Sequence, residues 1–172
     1  MKMLRDITGA ETPEQKQRRE QRNKATEFFK KACRDLSVAM DKKTVLLVDD
    51  NPVDAHAMLK MLNGAKPAGG PEILTVTSAD AAMSFIEANG DDVRVVVTDM
   101  YMQDDPEAGM DLVEWVKRNH SQIPVLVCTA HADIGEKVQK KFPDVQVLLK
   151  GNFTIPQLLL LLGMQPANCE TA

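Results

Sequence analysis

The chain has 172 residues, of which 44% are hydrophobic and 27% are charged. The length fits one ordinary domain with an extension, and the composition is typical of a soluble globular protein. The cysteines, Cys33, Cys128 and Cys169, follow no pairing pattern, so we expect a reducing compartment and no disulfide framework. The longest leucine run, 158–162, is far shorter than the roughly 20 apolar residues of a membrane-spanning helix, and the first residues lack the apolar core of a secretion signal. We therefore expect a cytoplasmic protein with no membrane partner.

The net charge of −4 hides an asymmetry along the chain. Residues 1–43 carry 12 Lys or Arg against 7 Asp or Glu, whereas residues 44–172 carry 9 against 18. A basic segment on an acidic body could bind nucleic acid or an acidic surface, including its own body. A solvated helix face explains the basic segment more simply, so nucleic acid is not an expected partner.

A helix is predicted from about Pro13 to about Met40. An N-cap hydroxyl at Thr12, the proline at the first helical position and Gln15 mark its start. Its second half carries an apolar stripe that must pack against something. The stripe consists of Ala25, Phe29, Ala32, Leu36 and Ala39. It could pack on the rest of the chain or on a second copy, and we slightly prefer a homodimer.

Five apolar runs alternate with helical patterns in the rest of the chain. The runs begin at Val45, Ile73, Val95, Pro124 and Val145. The helical patterns cover Pro52 to Leu62, Ala79 to Ala88, Gly109 to Asn119, Ala132 to Phe142 and a short piece near Pro156 to Leu162. Near-continuous apolar runs are typical of strands buried on both faces. This alternation predicts βαβ units and a parallel sheet with right-handed crossovers.

Four of the five runs end in polar residues. These are the pair Asp49 and Asp50, then Asp99, Thr129 and Lys150. Ligands of an open parallel sheet gather outside the carboxyl ends of the strands, so three acids, a hydroxyl and an ammonium should converge on one small volume. Hard oxygen ligands suit Mg²⁺. A carboxylate becomes an effective nucleophile when it is oriented and a cation neutralises the incoming phosphoryl group.

This ordered set of residues resembles the receiver domain of bacterial two-component response regulators over roughly positions 44 to 163. The resemblance implies a doubly wound α/β fold with a flavodoxin-like, five-stranded parallel sheet in the order 2-1-3-4-5, preceded here by an added N-terminal helix. We accordingly divide the chain into an N-terminal helical extension (1–43), a receiver domain (44–163) and a C-terminal tail (164–172).

The resemblance also implies roles for the strand-end residues. Asp99 is expected to be the phosphoacceptor. The expected ligands of Mg²⁺, or Mn²⁺, are Asp49, Asp50, Asp99 and the main-chain carbonyl of Tyr101. Thr129 would be the switch hydroxyl, and Lys150 would contact the phosphate from the far side of the pocket. Tyr101 and His131, two residues past Asp99 and Thr129, would border the acyl phosphate and tune its lifetime.

Each of these residues also has an ordinary structural explanation. The acid pair could cap the helix that starts at Pro52, with Asn51 sharing that role. Lys150 could be a solvated lysine and Thr129 an ordinary strand hydroxyl, and the two loop residues could lie at the rim without function. Their joint occurrence at the ends of successive strands favours the functional interpretation.

Three positions depart from the usual pattern of the family. The loop after the third strand is longer and more acidic, and its proline and glycine are displaced to Pro106 and Gly109. Gly151 follows Lys150 where the family usually has a cis proline. We expect a trans bond there, because a cis bond before a non-proline residue costs ~2.5–4 kcal/mol. Val147 occupies the aromatic switch position, so any switching must work without a ring.

We therefore predict a stand-alone response regulator receiver, a phosphoprotein of a two-component phosphorelay that is not an enzyme. It would accept a phosphoryl group from a histidine kinase or a histidine phosphotransfer protein and act on a downstream protein that the sequence does not identify. A phosphate-independent docking module is an alternative. A phosphatase of the haloacid dehalogenase type is less favoured, because that class needs Asp-x-Asp where this chain has Asp49-Asp50-Asn51.

Overall fold

The computed structural model describes residues 43–102, 105 and 107–164. The predicted N-terminal helix from Pro13 to Met40, with its apolar stripe and the homodimer inferred from it, lies outside these residues, as does most of the predicted tail. Within the described ranges, no helix has the length and apolar character needed to cross a membrane.

Strands and helices alternate through the described part of the chain. The strands are β1 (Thr44–Val48), β2 (Glu72–Val76), β3 (Val93–Thr98), β4 (Val125–Thr129) and β5 (Gln146–Leu149). The helices are α1 (Pro52–Ala65), α2 (Ala79–Asn89), α3 (Ala108–Asn119), α4 (Ala132–Lys141) and α5 (Ile155–Leu161). This alternation confirms the α/β architecture predicted from the apolar runs.

The five strands form one parallel sheet in the order β2-β1-β3-β4-β5, which confirms the predicted order. Val48 of β1 pairs with Thr98 of β3, and Thr129 of β4 pairs with Leu149 of β5. Because the strands are parallel and in this register, the residues that follow them lie along one edge of the sheet, here called the carboxyl edge.

Burial distinguishes the three interior strands from the two edge strands. Every residue of β1, β3 and β4 is buried, whereas β2 and β5 contain residues that are partly exposed. Helices supply the cover: α3 buries Leu112, Val113 and Val116, and α5 buries Leu158 and Leu161. Burial on both faces explains why the interior strands are apolar almost throughout.

The helices start at the carboxyl edge, and their first residues differ in how they are capped. The side chains of Asn51, Ser78 and Thr154 accept hydrogen bonds from the first turns of α1, α2 and α5. At the starts of α3 and α4, Glu107 and His131 make no such side-chain bond. The two helices without a side-chain cap are those that follow β3 and β4.

Candidate functional site

The ammonium group of Lys150 lies among three carboxylates at the carboxyl edge. Its Nζ is 2.7 Å from Asp99 Oδ2, 2.9 Å from Asp49 Oδ2 and 3.2 Å from Asp54 Oδ2. The side chains of Asp49 and Asp99 are 13% exposed and that of Lys150 is 22% exposed, whereas Asp54 is 47% exposed. Lys150 therefore lies between the acids and not on the far side of the pocket, and Asp54 is the outermost of the three.

Asp99 directly follows β3, and both of its carboxylate oxygens have partners. Its main-chain N–H donates to Val48 O on the neighbouring strand at 2.9 Å, which anchors the end of β3 against β1. Oδ1 accepts from the N–H groups of Met100 at 2.6 Å and Tyr101 at 3.3 Å. Because Lys150 binds the other oxygen, the carboxylate is held in one orientation, as a carboxylate nucleophile requires.

Asp49 and Asp50 follow β1. Asp49 Oδ1 accepts from the Asn51 N–H at 3.0 Å, and its Oδ2 accepts from Lys150. Asn51 Oδ1 accepts from Val53 N at 3.0 Å, so the helix-cap explanation holds for Asn51. Asp50, which lies between Asp49 and Asn51 in the sequence, is half-buried. The acid pair thus lies at the end of an interior strand, beside the start of α1.

The protonation of the pocket reflects burial and ion pairing together. Burial raises the pKa of Asp49, and this effect outweighs the hydrogen bond and positive charge of Lys150, which lower it. Burial by itself would lower the pKa of Lys150, but the hydrogen bonds to Asp99 and Asp49 outweigh burial and raise it. The lysine therefore stays charged, and a single ammonium faces three carboxyl groups.

Thr129 ends β4 at the same edge and is completely buried. Its Oγ1 accepts from the His131 N–H at 3.2 Å, and its main-chain carbonyl accepts from the Lys150 N–H at 2.8 Å. The ends of β4 and β5 are thereby tied together. A hydroxyl that accepts one hydrogen bond can still donate its own proton, so Thr129 keeps a donor at this edge of the sheet.

Tyr101 and His131, which follow β3 and β4, form a ring pair. Their ring centroids are 5.4 Å apart and the ring planes are inclined by 34°, a separation within the range of favourable aromatic contacts. Both residues are exposed, with Tyr101 at 42%. The contact between them was not predicted from the sequence, and it joins the loop after β3 to the loop after β4.

The longer loop after β3 still brings its glycine to Asp99. Met102 is buried, and its main chain pairs with that of Asp105 in an antiparallel bridge. The Gly109 N–H donates to Met100 O at 3.3 Å. A Cβ at Gly109 would lie 2.5 Å from Met100 Cα and 2.6 Å from Asp99 O, so only glycine allows this approach. The displaced glycine therefore sets the start of α3 directly against the main chain of Asp99.

The two other departures concern the end of β5. The described residues contain no cis peptide bond, and Gly151 has φ +85°, in the left-handed region that favours glycine. The trans bond expected after Lys150 is thus confirmed. Val147 is half-buried, and its Cγ1 would lie 2.9 Å from a Cβ placed on Gly135 of α4. A β-branched side chain fills the aromatic switch position and packs towards α4.

Asp54 was missed in the sequence analysis. It lies in the first turn of α1, and its N–H points to the cap residue, Asn51, at 3.5 Å. An acid in a first helical turn is common, because it interacts favourably with the helix dipole. Its presence there does not by itself indicate a functional site. The available signal was positional: α1 starts at the carboxyl edge immediately after the acid pair, so its first turn borders the site.

The donor set of the site fits Mg²⁺ by chemical type. Among the described residues, no group of three or more His, Cys, Asp or Glu side chains is arranged to hold a metal ion. Mg²⁺ commonly takes only one or two protein carboxylates and fills its other positions with water and phosphate oxygens. The pocket offers oxygen donors, and its acids outnumber the charge of Lys150, so a divalent cation would reduce their mutual repulsion.

The sequence matches the response regulator receiver domain family over residues 45–160. The chain belongs to this family of two-component signalling proteins, whose members share the flavodoxin-like fold. Receiver domains are generally phosphoacceptors without enzymatic activity, they bind Mg²⁺, and membership implies a histidine kinase partner. A comparison with curated proteins finds no match.

Solved structures show the same fold. A response regulator receiver domain protein from Clostridium thermocellum is 22% identical, with 70% of this chain and 90% of that chain covered and a TM-score of 0.58. The N-terminal domain of a response regulator receiver protein from Methanoculleus marisnigri is 26% identical, with coverages of 63% and 85% and a TM-score of 0.51. Response regulator protein TrrA from Thermotoga maritima, in complex with Mg²⁺-BeF, is 20% identical, with coverages of 64% and 90% and a TM-score of 0.53.

Proposed function

We propose that Asp99 accepts a phosphoryl group from a histidine kinase or a histidine phosphotransfer protein, and that phosphorylation changes the contacts of this receiver with a downstream protein. The observation that supports this most directly is the hydrogen bonding of Asp99. Oδ1 accepts from two main-chain N–H groups, and Oδ2 lies 2.7 Å from Lys150 Nζ. An oriented carboxylate that is hydrogen-bonded to an ammonium has the positioning and electrostatics on which phosphoryl transfer relies.

In this proposal the residues act at distinct atoms. A carboxylate oxygen of Asp99 forms the new bond to phosphorus, and the donor imidazole leaves with the electron pair of the broken P–N bond. Lys150 shifts its donors from the acid to the phosphoryl oxygens, and the Thr129 hydroxyl donates to another of those oxygens. Mg²⁺, held by Asp49, Asp50, Asp99 and the carbonyl of Tyr101, would supply positive charge to the transferred group.

We further propose that Tyr101 and His131 limit the access of water to the acyl phosphate. Their rings are in contact and join the loop that follows β3 to the loop that follows β4. Tyr101→Ala and His131→Ala should each shorten the lifetime of the phosphorylated protein, and the double variant should lose less than the two single effects combined. Phosphate release after removal of the donor measures these lifetimes.

The test of the proposed function uses acetyl phosphate with and without Mg²⁺, followed by mass spectrometry. We expect wild type to gain an acid-labile phosphoryl group only with the divalent cation, and Asp99→Asn to gain none. Asp50→Ala should prevent phosphorylation at ordinary Mg²⁺ concentrations by weakening metal binding. Lys150→Ala should retain Mg²⁺ binding, because loss of a cation relieves competition for the acids, but it should impair transfer.

Three outcomes would redirect the assignment. A labile phosphoryl group on Asp99→Asn would show that another residue is the acceptor. A wild-type protein that is never phosphorylated but binds a partner regardless would favour the phosphate-independent docking module. Sustained turnover of a small phosphate ester would favour the phosphatase alternative.

A further inference from the structure

Lys150 is shared by three carboxylates, but only two of them have an expected role in metal binding or phosphoryl transfer. Asp99 and Asp49 lie 2.7 and 2.9 Å from its Nζ, and Asp54 lies 3.2 Å away. Asp54 comes from helix α1 and not from a strand end. It is also far more exposed than the other two acids. The ammonium therefore has one partner at the mouth of the site and two partners deeper in it.

The cap of α1 fixes where this outer partner lies. Asn51 Oδ1 accepts from Val53 N at 3.0 Å and from Asp54 N at 3.5 Å, so the first turn of α1 is bound to the loop that follows Asp49. The neighbouring Ala55 is buried, which holds the same turn against the sheet. Asp54 is thus presented to Lys150 by a helix start that is anchored on both sides.

A lysine ammonium has three N–H donors and no acceptor. In this structure three carboxylate oxygens lie within hydrogen-bond distance of it. In the proposed function Asp49 and Asp99 would serve as ligands of Mg²⁺, and the positive charge of that cation would repel the ammonium. Asp54 is the partner that can keep the ammonium at the site while the inner acids are occupied.

We propose that Asp54 is a positioning residue for Lys150, which holds the ammonium at the mouth of the site when Asp49 and Asp99 bind metal, and thereby favours Mg²⁺ binding. This inference rests on the proposed function, because it assumes that those two acids serve the metal. It assigns Asp54 no contact with the phosphoryl group.

The effect should be modest, since the Asp54–Lys150 pair is partly exposed. Asp54→Asn keeps the shape of the side chain and removes its charge, so the ammonium competes more strongly for Asp49 and Asp99. We expect the Mg²⁺ dissociation constant to rise about two- to fivefold, the range that a partly exposed ion pair supports. Asp54→Glu retains the charge and should return the constant to within about twofold of wild type.

The experiment is a double-mutant cycle on the full chain, read by calorimetric titration of Mg²⁺ without any phosphodonor. The four proteins are wild type, Asp54→Asn, Lys150→Met and the double variant. If Asp54 acts through Lys150, its substitution changes the Mg²⁺ affinity in the wild-type background and has little effect when Lys150 is Met. If Asp54 only stabilises the start of α1 or adds general negative charge, its effect is the same in both backgrounds.

Asp80→Asn is the matched control, because Asp80 is the acid in the first turn of α2, outside the contacts of Lys150. It should leave the Mg²⁺ affinity unchanged. The inference is overturned if Asp54→Asn binds Mg²⁺ as wild type does, or if its effect persists in the Lys150→Met background while wild type is phosphorylated normally. Failure of wild type to bind Mg²⁺ would overturn this inference and the proposed function together.

Discussion

The interior strands and the edge strand β5 supply the pocket in different ways. Asp49 and Asp99 directly follow β1 and β3, and Thr129 ends β4; every residue of these three strands is buried. Lys150 follows β5, in which every residue is only half-buried. The acids are placed by their strands, with short main-chain bonds that tie the strand ends together. The lysine reaches them from the edge of the sheet, and its position depends on the charges that it meets.

This difference divides the site into two parts. The fixed half consists of Asp49, Asp99 and Thr129, and the adjustable half is Lys150. Strand packing decides where the acids are, because a shift in an interior strand would disturb the core on both faces of the sheet. Ion pairing decides where the ammonium is, because a long lysine side chain has many rotamers of similar energy. In the proposed function the site binds metal and phosphate in sequence, and a movable cation beside fixed oxygen ligands suits that order.

The largest expected effect comes from a substitution in a buried strand that positions the fixed half. Leu46 of β1 is completely buried, so Leu46→Ala should lower the free energy of unfolding by about 2–5 kcal/mol. Leu149→Ala in the half-buried β5 is the matched control and should cost less than half as much. Urea unfolding of the metal-free proteins measures both values. Equal losses for the two variants would mean that the edge strand is as strongly held as the interior ones.

A second variant tests how tightly the loop after β3 is bound to Asp99. Gly109→Ala would place a Cβ against main-chain atoms of Asp99 and Met100, which cannot rotate away. We expect a loss of about 1–3 kcal/mol and weaker Mg²⁺ binding, because Asp99 must shift. Denaturant titration and calorimetry measure the two effects.

Gly64→Ala is the control for the glycine-to-alanine change itself. Gly64 lies in α1, and a Cβ there would meet no heavy atom within 4 Å, so the substitution should be neutral or stabilise by up to about 1 kcal/mol. If Gly109→Ala were as stable as wild type, the loop after β3 would have to be free to move away from Asp99.

The sequence predicted the strand ends well because buried parallel strands have a clear apolar pattern. A polar residue that ends each run then marks the carboxyl edge, and Asp49, Asp99 and Lys150 were found in this way. The trans bond before Gly151 was also predictable, since it follows from the cost of a cis bond. The reach of Lys150 between two acids was not predictable, because a strand pattern gives the direction of the chain but not the rotamer of a long side chain.

The remaining differences between the sequence predictions and the structure arise at contacts between separate helices, strands and loops. Asp54 was missed because its contact with Lys150 depends on the distance from the start of α1 to the end of β5, which no local sequence pattern records. Gly109 is displaced from the usual position of the family, yet it makes the close approach to the main chain of Asp99. The Tyr101–His131 contact joins two loops, and loop geometry follows from the sheet and not from the residues themselves.

The fixed half can be tested further through the buried thiol of β4. Burial raises the pKa of Cys128 to about 12, so the folded protein keeps this proton at a pH where the unfolded chain, with a pKa near 8.5, loses it. The corresponding stability is therefore present below about pH 8.5 and is lost as pH rises towards about 12. Cys128→Ala should lower stability at neutral pH, and its difference from wild type should shrink between pH 9 and 11. Unfolding by urea with EDTA at each pH measures this slope, and a constant difference would contradict the burial of the thiol.

The smallest expected effect concerns an exposed ion pair between α3 and α4. Glu114 of α3 lies 2.7 Å from Lys141 Nζ of α4 and 3.0 Å from Arg118. The hydrogen bond from Lys141, with the positive charges of Lys141 and Arg118, lowers the pKa of Glu114. A lowered pKa gives stability that is present above the ordinary value of about 4.3 and is lost as pH falls below it.

Glu114→Gln should therefore reduce the melting temperature slightly at pH 6 and converge with wild type near pH 3. The difference should also shrink in 1 M salt, where charges are screened within about 3 Å. Glu136→Gln, on the exposed face of α4, is the matched control. If the melting temperatures of Glu114→Gln and wild type fall identically as the pH is lowered, this ion pair adds nothing to stability.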